Sequence, residues 1–302
     1  MARAEDAAAL AKQERLFASL REQESLLVAF SGGADSAYLA WAAHRALGER
    51  ALAVTALSAS FSREDREQAD RFLRSSGVPH EFIETRELEN PLYAANNADR
   101  CYYCKDELFQ RMDALARERG FRAIAYGINA DDTRDFRPGH RAAGEHRVLA
   151  PLLAAALGKQ EIRWLSHRSG LTTWDRPASA CLSSRIPYGT KVTPELLRRI
   201  DAAESALREL GFRQFRVRAH GELARIELAC DELSRGLDPA LLREMSRRIK
   251  ECGFTYAALD LEATARVRST PCSRRSNVVT LPRAGSNTPT SSDRRRGCRR
   301  RF

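Results

Sequence analysis

The chain has 302 residues, room for one large domain or two ordinary ones, and its 43% apolar content suits a protein that buries a sizeable core. No run of about 18 apolar residues offers a membrane span, and Met1-Ala2-Arg3-Ala4-Glu5-Asp6 lacks the apolar centre of a signal peptide, so a cytoplasmic protein is expected. The formal charge is +10, but eleven arginines against one aspartate beyond residue 262 account for all of it. The body keeps 39 charges of each sign, with no surplus to draw it to nucleic acid. Seven cysteines in a reducing compartment read as metal ligands, nucleophiles or core residues rather than disulfides.

Residues 5–22 read as an amphipathic helix, with Leu10, Phe17 and Leu20 among charged neighbours. A short apolar run, 26–30, then reads as a buried strand. It ends in Ser31-Gly32-Gly33-Ala34-Asp35-Ser36, and an alanine-rich helix over 37–47 follows. Strand, small-residue turn and helix aim backbone N–H groups at an anion. Gly32 and Gly33 remove the Cβ atoms that would block a phosphate, while Ser31 and Ser36 add hydroxyls. The turn has neither the lysine of a Walker loop nor the spacing of a dinucleotide fingerprint. It resembles instead the PP-loop of ATP pyrophosphatases, which implies cleavage of ATP between its α and β phosphates. A glycine-rich turn without a ligand is the plain alternative.

A second strand over 51–57 ends in Ser58-Ala59-Ser60-Phe61, a charged helix over 62–77 closes at Gly77, and a third strand covers 80–85. Ser58 at a strand end suits either an adenosine contact or a helix cap. Cys101-Tyr102-Tyr103-Cys104 opens a helix over 102–119, beside Arg100 and Lys105. The helix N-terminus and those cations favour thiolate, and two thiols at that spacing suit a metal that still needs further ligands, a redox pair, or burial. A fourth strand over 121–126 leads into a polar loop over 127–139 containing Asn129, Asp131, Asp132 and Arg137. Its carboxylates suit Mg²⁺ on ATP or a turn cap. Alternating strands and helices predict a mainly parallel sheet with ligands beyond its carboxyl edge, so the Ser31 loop, Ser58 and the Gly127 loop should converge.

The loop over 174–188 is dense in proline and small residues, with Arg176, Cys181 and Arg185. Such an electropositive, exposed setting suits a reactive thiol, the alternative being an incidental cysteine. A second unit follows: a helix over 194–210 opened by Thr193-Pro194, strands over 212–219 and 223–228, a helix over 239–250 and a strand over 254–261. Arg216 and Arg218 alternate and share a face with His220, where they suit a phosphate or a solvated surface. Glu204 reads as surface or site. Cys230 and Cys252 lack partner spacing. The expected fold is α/β, a Rossmann-like domain with a mainly parallel sheet over 1–175, then a small α+β domain with the cysteine loop over 176–262. The Arg-rich stretch 263–302 has the composition of disorder.

Taken together, Phe30–Ser36, Asp99–Lys105, Gly127–Asp132 with Arg137–Gly139, Arg176–Gly189 and Gly211–Arg218 resemble the LarE family of ATP-dependent sulfur transferases, with coverage from about residue 10 to 262. The Ser31 loop specifies only the superfamily; the Cys181 stretch narrows it. The resemblance implies that a carboxylate of a pyridinium dicarboxylate mononucleotide is adenylylated by ATP and then receives sulfur, on the way to the nickel-pincer cofactor. It implies Ser31, Gly32, Gly33, Asp35 and Ser36 at the phosphates, with Gly127, Asn129 and Asp132 about the nucleotide and its Mg²⁺; Ser58 joins them only by its place at a strand end. Arg216 and Arg218 would hold the substrate phosphate, with Glu204 an acidic group nearby. Cys101, Cys104 and Cys181 match members that carry a [4Fe-4S] cluster fed by a sulfide source; other members sacrifice the cysteine at position 181. A homo-oligomer is implied as well. The sequence departs from the family after Glu262, where relatives continue with Gly-Tyr-Arg. Rival readings are a tRNA thiolase, an amide ligase, for which three cysteines have no use, and a nucleotide sensor that splits no ATP.

Overall fold

The computed structural model describes residues 2–134, 138–177 and 180–262. The expected disordered stretch 263–302 and Arg137 lie outside the described residues. The described residues fall within one compact unit.

Helix α1 (Ala2–Arg21) precedes β1 (Leu26–Ala29), α2 (Ala34–Leu47), β2 (Ala51–Leu57), α3 (Arg63–Ser76) and β3 (His80–Glu84). After α4 (Pro91–Ala94) and α5 (Arg100–Arg119), β4 (Ala123–Tyr126) completes the first sheet. All its strands are parallel, in the order β3-β2-β1-β4. The chain therefore lays strands outward from β1 on one side and returns to the other side for β4. That reversal opens a crevice beyond the carboxyl ends of β1 and β4, the place where such sheets bind ligands.

Alternation along β1 explains why both faces are covered. Leu26, Val28 and Phe30 join the core under α1, α2 and α3, whereas Leu27 and Ala29 join Phe109, Met112 and Ile124 on the opposite face. Ser62 caps α3 by accepting from the Asp65 N–H, and Gly77, at φ +67°, ends it.

The next helices are α6 (Pro138–Glu145), α7 (Pro151–Ala154) and α8 (Lys159–Arg168). Only the last residues of the expected polar loop over 127–139 are helical at α6; Ala130–Arg134 forms a 3-10 turn. The segments after 139 are short, so their apolar period never repeats often enough to announce a helix.

Helix α9 (Pro194–Glu209) starts at a Thr193 cap with Pro194 in its first turn. It packs on a second sheet of β5 (Phe215–His220), β6 (Leu223–Leu228) and β7 (Tyr256–Leu259), with α10 (Cys230–Gly236) and α11 (Pro239–Glu251) between β6 and β7. Strands β5 and β6 are antiparallel; β6 and β7 are parallel, joined by the two helices. This sheet has its own core of Leu197, Ile200, Leu207, Phe212, Val217, Leu228, Ile249 and Phe254.

Candidate functional site

The turn after β1 is built mostly from its own residues. Ser36 Oγ accepts from the Ser31 N–H (3.2 Å), donates to the Gly33 carbonyl (3.0 Å) and lies 3.2 Å from Ser31 Oγ. Gly32 takes φ +75°, a conformation that side chains resist. Gly33 is the N-cap of α2, so the first turn's free N–H groups face the crevice. A glycine is equally required at 127, because a Cβ there would lie 2.8 Å from the Ser36 nitrogen. The loop after β4 can thus lie directly on the start of α2.

Asp35, Asn129 and Asp132 meet at this junction. Asn129 Nδ2 donates to Asp35 Oδ2 (3.0 Å), its own N–H donates to Asp132 Oδ2 (3.3 Å), and Lys159 Nζ stands 3.0 Å from Asp132 Oδ1. Burial, reinforced by the neighbouring Asp132 charge, pushes Asp35 up to about 6. Oxygen donors crowded in this way suit a hard divalent cation, which would offset their repulsion. Ser58 lies one strand over and shares a hydrogen bond with Ser60 (2.9 Å). It lines a cleft of about 450 Å³ at the ends of β2 and β3, bounded also by Arg63, Arg66, Glu84 and Asp201.

The segment carrying Cys181 is fastened to this crevice from both directions. Arg176 donates to the Gly32 carbonyl and to Asp65, and the Leu182 N–H donates to the Ser60 carbonyl (3.0 Å). Beyond Cys181 the chain is sewn to the start of α5. Arg100 donates to the Ser183 carbonyl (2.9 Å), Tyr93 Oη shares a hydrogen bond with Ser183 Oγ (2.7 Å), and Asn96 Nδ2 donates to the carbonyls of Pro187 (2.8 Å) and Thr190 (2.9 Å). Asn96 is fully buried at φ +58°. Since Arg100 immediately precedes Cys101, one guanidinium ties the Cys101–Cys104 turn to the Cys181 loop.

All three cysteines lie within one another's electrostatic reach. Among the described residues, however, no three His, Cys, Asp or Glu side chains are grouped so as to hold a metal ion. Three soft thiol donors suit an iron–sulfur cluster in kind; their spacing here does not close into a ligand set. The expected thiolate-favouring setting is also corrected. Burial pushes the Cys104 thiol up to about 12, with Glu87 adding to it, and raises Cys181 despite the lowering pull of Arg100 and Arg185. Cys181 is half-buried rather than exposed. Desolvation of the charged form outweighs the nearby cations.

The second sheet contributes a cationic group. Glu204 is buried and grips Arg185 through both oxygens (2.9 and 3.2 Å) while accepting from the Val217 N–H (3.0 Å). Arg185 in turn donates to the carbonyls of Ala180 and Cys181. Glu204 is therefore a positioning residue, acting on the Cys181 loop through Arg185. Arg218 binds Glu227 and the Ser184 carbonyl (3.1 Å). The Arg216 side chain, on the same face of β5, has no hydrogen bond or ion pair among the described residues, and burial together with the fields of Arg185 and Arg218 lowers its pKa. A half-buried guanidinium beside two others is primed for an anion. His220 ends the strand exposed.

Sequence reasoning named Arg176 and Arg185 only as local positive charge; their partners, Gly32 and Glu204, lie far away in sequence. Asn96, Tyr93 and Glu87 carried no signal, because a lone polar residue in a loop has no pattern to read.

No family model matches the chain. It is 42% identical over 251 residues to an uncharacterised protein of Synechocystis sp., a span of 83% of this chain and 94% of that protein. It is 34% identical over 251 residues to the pyridinium-3,5-bisthiocarboxylic acid mononucleotide synthase of Lactiplantibacillus plantarum, covering 83% of this chain and 90% of the synthase. An uncharacterised Methanocaldococcus jannaschii protein matches at 28% over 167 residues, 55% of this chain and 64% of its own.

Proposed function

The chain belongs to the LarE family, and on that premise we propose that it is a sulfur transferase that spends ATP to turn a carboxylate of a pyridinium-3,5-biscarboxylate mononucleotide into a thiocarboxylate. The name of the Lactiplantibacillus plantarum synthase specifies such a product. The observation that carries the reading is the double fastening of the Cys181 segment, to Gly32 in the phosphate turn and to Ser60 beside it.

In this reading the substrate carboxylate attacks the α phosphorus of ATP and pyrophosphate leaves. Hydroxyls of Ser31 and Ser36 and the N–H groups of Gly32 and Gly33 take up the charge on the leaving group. Asp35 and Asp132 would hold Mg²⁺, which when bound neutralises phosphate charge. Ser58 and its cleft would take the adenosine. Arg216 and Arg218 hold the mononucleotide phosphate and thereby orient the carboxyl group. A sulfur nucleophile then attacks the acyl-adenylate carbon and AMP departs as the better leaving group.

Two sulfur sources are compatible with the cysteine group. Proximity of Cys101, Cys104 and Cys181 supports a [4Fe-4S] cluster, replenished by a sulfide source. In the second reading Cys181 is consumed. There its thiolate forms the thioester. Loss of the Cys181 α proton then breaks the Cβ–S bond, leaving dehydroalanine and the thiocarboxylate. Anaerobic reaction with ATP, Mg²⁺ and the dicarboxylate tests the proposal. Pyrophosphate release that requires the dicarboxylate, together with a sulfur-bearing product, is expected. Four irons per chain and unchanged protein mass identify the cluster; an iron-free chain lighter by one H₂S identifies Cys181 as donor. Pyrophosphate release without sulfur in the product refutes the assignment.

A further inference from the structure

The phosphate turn binds a polyanion in this reading, yet it contains no cation and lies beside two carboxylates, Asp35 and Asp132. Neutral N–H and hydroxyl donors leave most of a triphosphate's charge uncompensated, and Mg²⁺ held by the two carboxylates would offset only part of it. A side-chain cation from elsewhere in the fold would add to that compensation. Among the described residues, Arg176 is the one whose guanidinium hydrogen-bonds to the turn itself, donating to the Gly32 carbonyl. It lies so close that a Cβ on Gly32 would meet Arg176 Nη1 at 3.0 Å. The missing Cβ is what lets the guanidinium approach the turn.

The guanidinium is held ready. Its second nitrogen is paired with Asp65, which Ser62 fixes through its hydroxyl (2.7 Å), and both paired side chains are only 11% exposed. The backbone of Arg176 is fixed as well, since Arg163 Nη2 donates to its carbonyl (2.8 Å). The Gly32 carbonyl is a neutral acceptor that a phosphate oxygen would replace with a charge-assisted bond, roughly twice as strong. Asp65 can keep its grip meanwhile, because the planar fork offers separate donors to each.

We propose that Arg176 is a nucleotide-phosphate ligand, delivered to the turn by the same segment that carries Cys181, so that an occupied phosphate site fixes the start of the sulfur-bearing segment. This rests on the ATP-using reading above and adds a residue to it. An occupied phosphate site would thus add a charged contact to a segment that Gly32, Asp65 and Ser60 already hold.

The test uses the full-length protein, with Mg²⁺-pyrophosphate and the non-hydrolysable α,β-methylene analogue of ATP as probes. Their binding is measured by calorimetry, and the rate of Cys181 carboxymethylation is read by peptide mass. Wild-type protein is expected to bind both probes and to show a several-fold change in Cys181 alkylation when either is bound. Arg176→Gln should bind pyrophosphate at least about tenfold more weakly and, at saturating probe, show no change in alkylation. Arg176→Lys, which keeps the charge without the fork, should recover part of the affinity. That recovery separates a ligand from a residue needed only for folding. Wild-type affinity in Arg176→Gln overturns the proposal and leaves the ATP reading standing. A wild-type protein that binds neither probe overturns the ATP reading, and the proposal with it.

Discussion

The Ser31–Ser36 turn and the cysteine neighbourhood are linked through Arg176 and Leu182 but are held in opposite ways. The turn is local: Ser31, Gly33 and Ser36 bond to one another within five residues. The cysteines depend on distant partners, Arg100 on Ser183 across 83 positions and Tyr93 on Ser183 across 90. Local geometry fixes an anion site by backbone alone. A thiol, by contrast, takes its reactivity from whatever surrounds it. Here burial raises the thiols of Cys104 and Cys181 against the pull of the nearby cations, so desolvation rather than local charge sets their character.

If the two regions are separable, removing the sulfur should leave the proposed reaction with ATP working. Cys181→Ala is expected to lower sulfur transfer on the order of a thousandfold or more, while dicarboxylate-dependent pyrophosphate release stays within a few-fold of wild type. Parallel assays of both products check it; equal loss in both would show that the regions act as one. A smaller effect is expected when a clamp on the cysteine side is cut. Glu204→Gln removes the charge that offsets buried Arg185, and breaking such a pair costs about 3 kcal/mol. A urea melt should show the loss, with a faster Cys181 alkylation rate because the carbonyls of Ala180 and Cys181 lose their anchor.

The same contrast explains what could be read from the sequence. The first sheet was legible, since short apolar runs followed by capped helices have one simple arrangement, and the strand at Ala51–Leu57 lies where its pattern put it. The strand–turn–helix geometry around Ser31–Ser36 was legible for the same reason. The glycine at 127 could be expected near the turn, but only the fold reveals that it admits the Ser36 backbone. The cysteine setting was misread because Arg100 and Arg185 look like activating charges in the sequence. In the fold both are engaged, Arg185 by Glu204 and Arg100 by the Ser183 carbonyl, and desolvation dominates. Burial is a tertiary property, and no local pattern reports it.

The smallest expected effect lies at the far side of the cysteine helix. His146 bridges Asp113 (2.7 Å) and Asp106 (2.9 Å) on α5, holding the end of α6 against it. At its other end α6 brings Gly139 against Lys105 and the Cys101 carbonyl, where a Cβ would lie 3.0 and 3.3 Å from them. Burial works against the charged imidazole, but the two carboxylates together outweigh it and raise the pKa above 6.5. The sign follows: the folded protein holds this proton more tightly than the unfolded chain. Its stabilisation is complete below about pH 6.5 and is lost as pH rises through the folded-state value. His146→Gln should therefore cost about 1 kcal/mol at pH 5.5, and less as pH rises above neutrality. Melts of both proteins across that range measure it. A cost independent of pH would mean that His146 serves by shape alone, and that the cysteine helix owes nothing there to long-range charge.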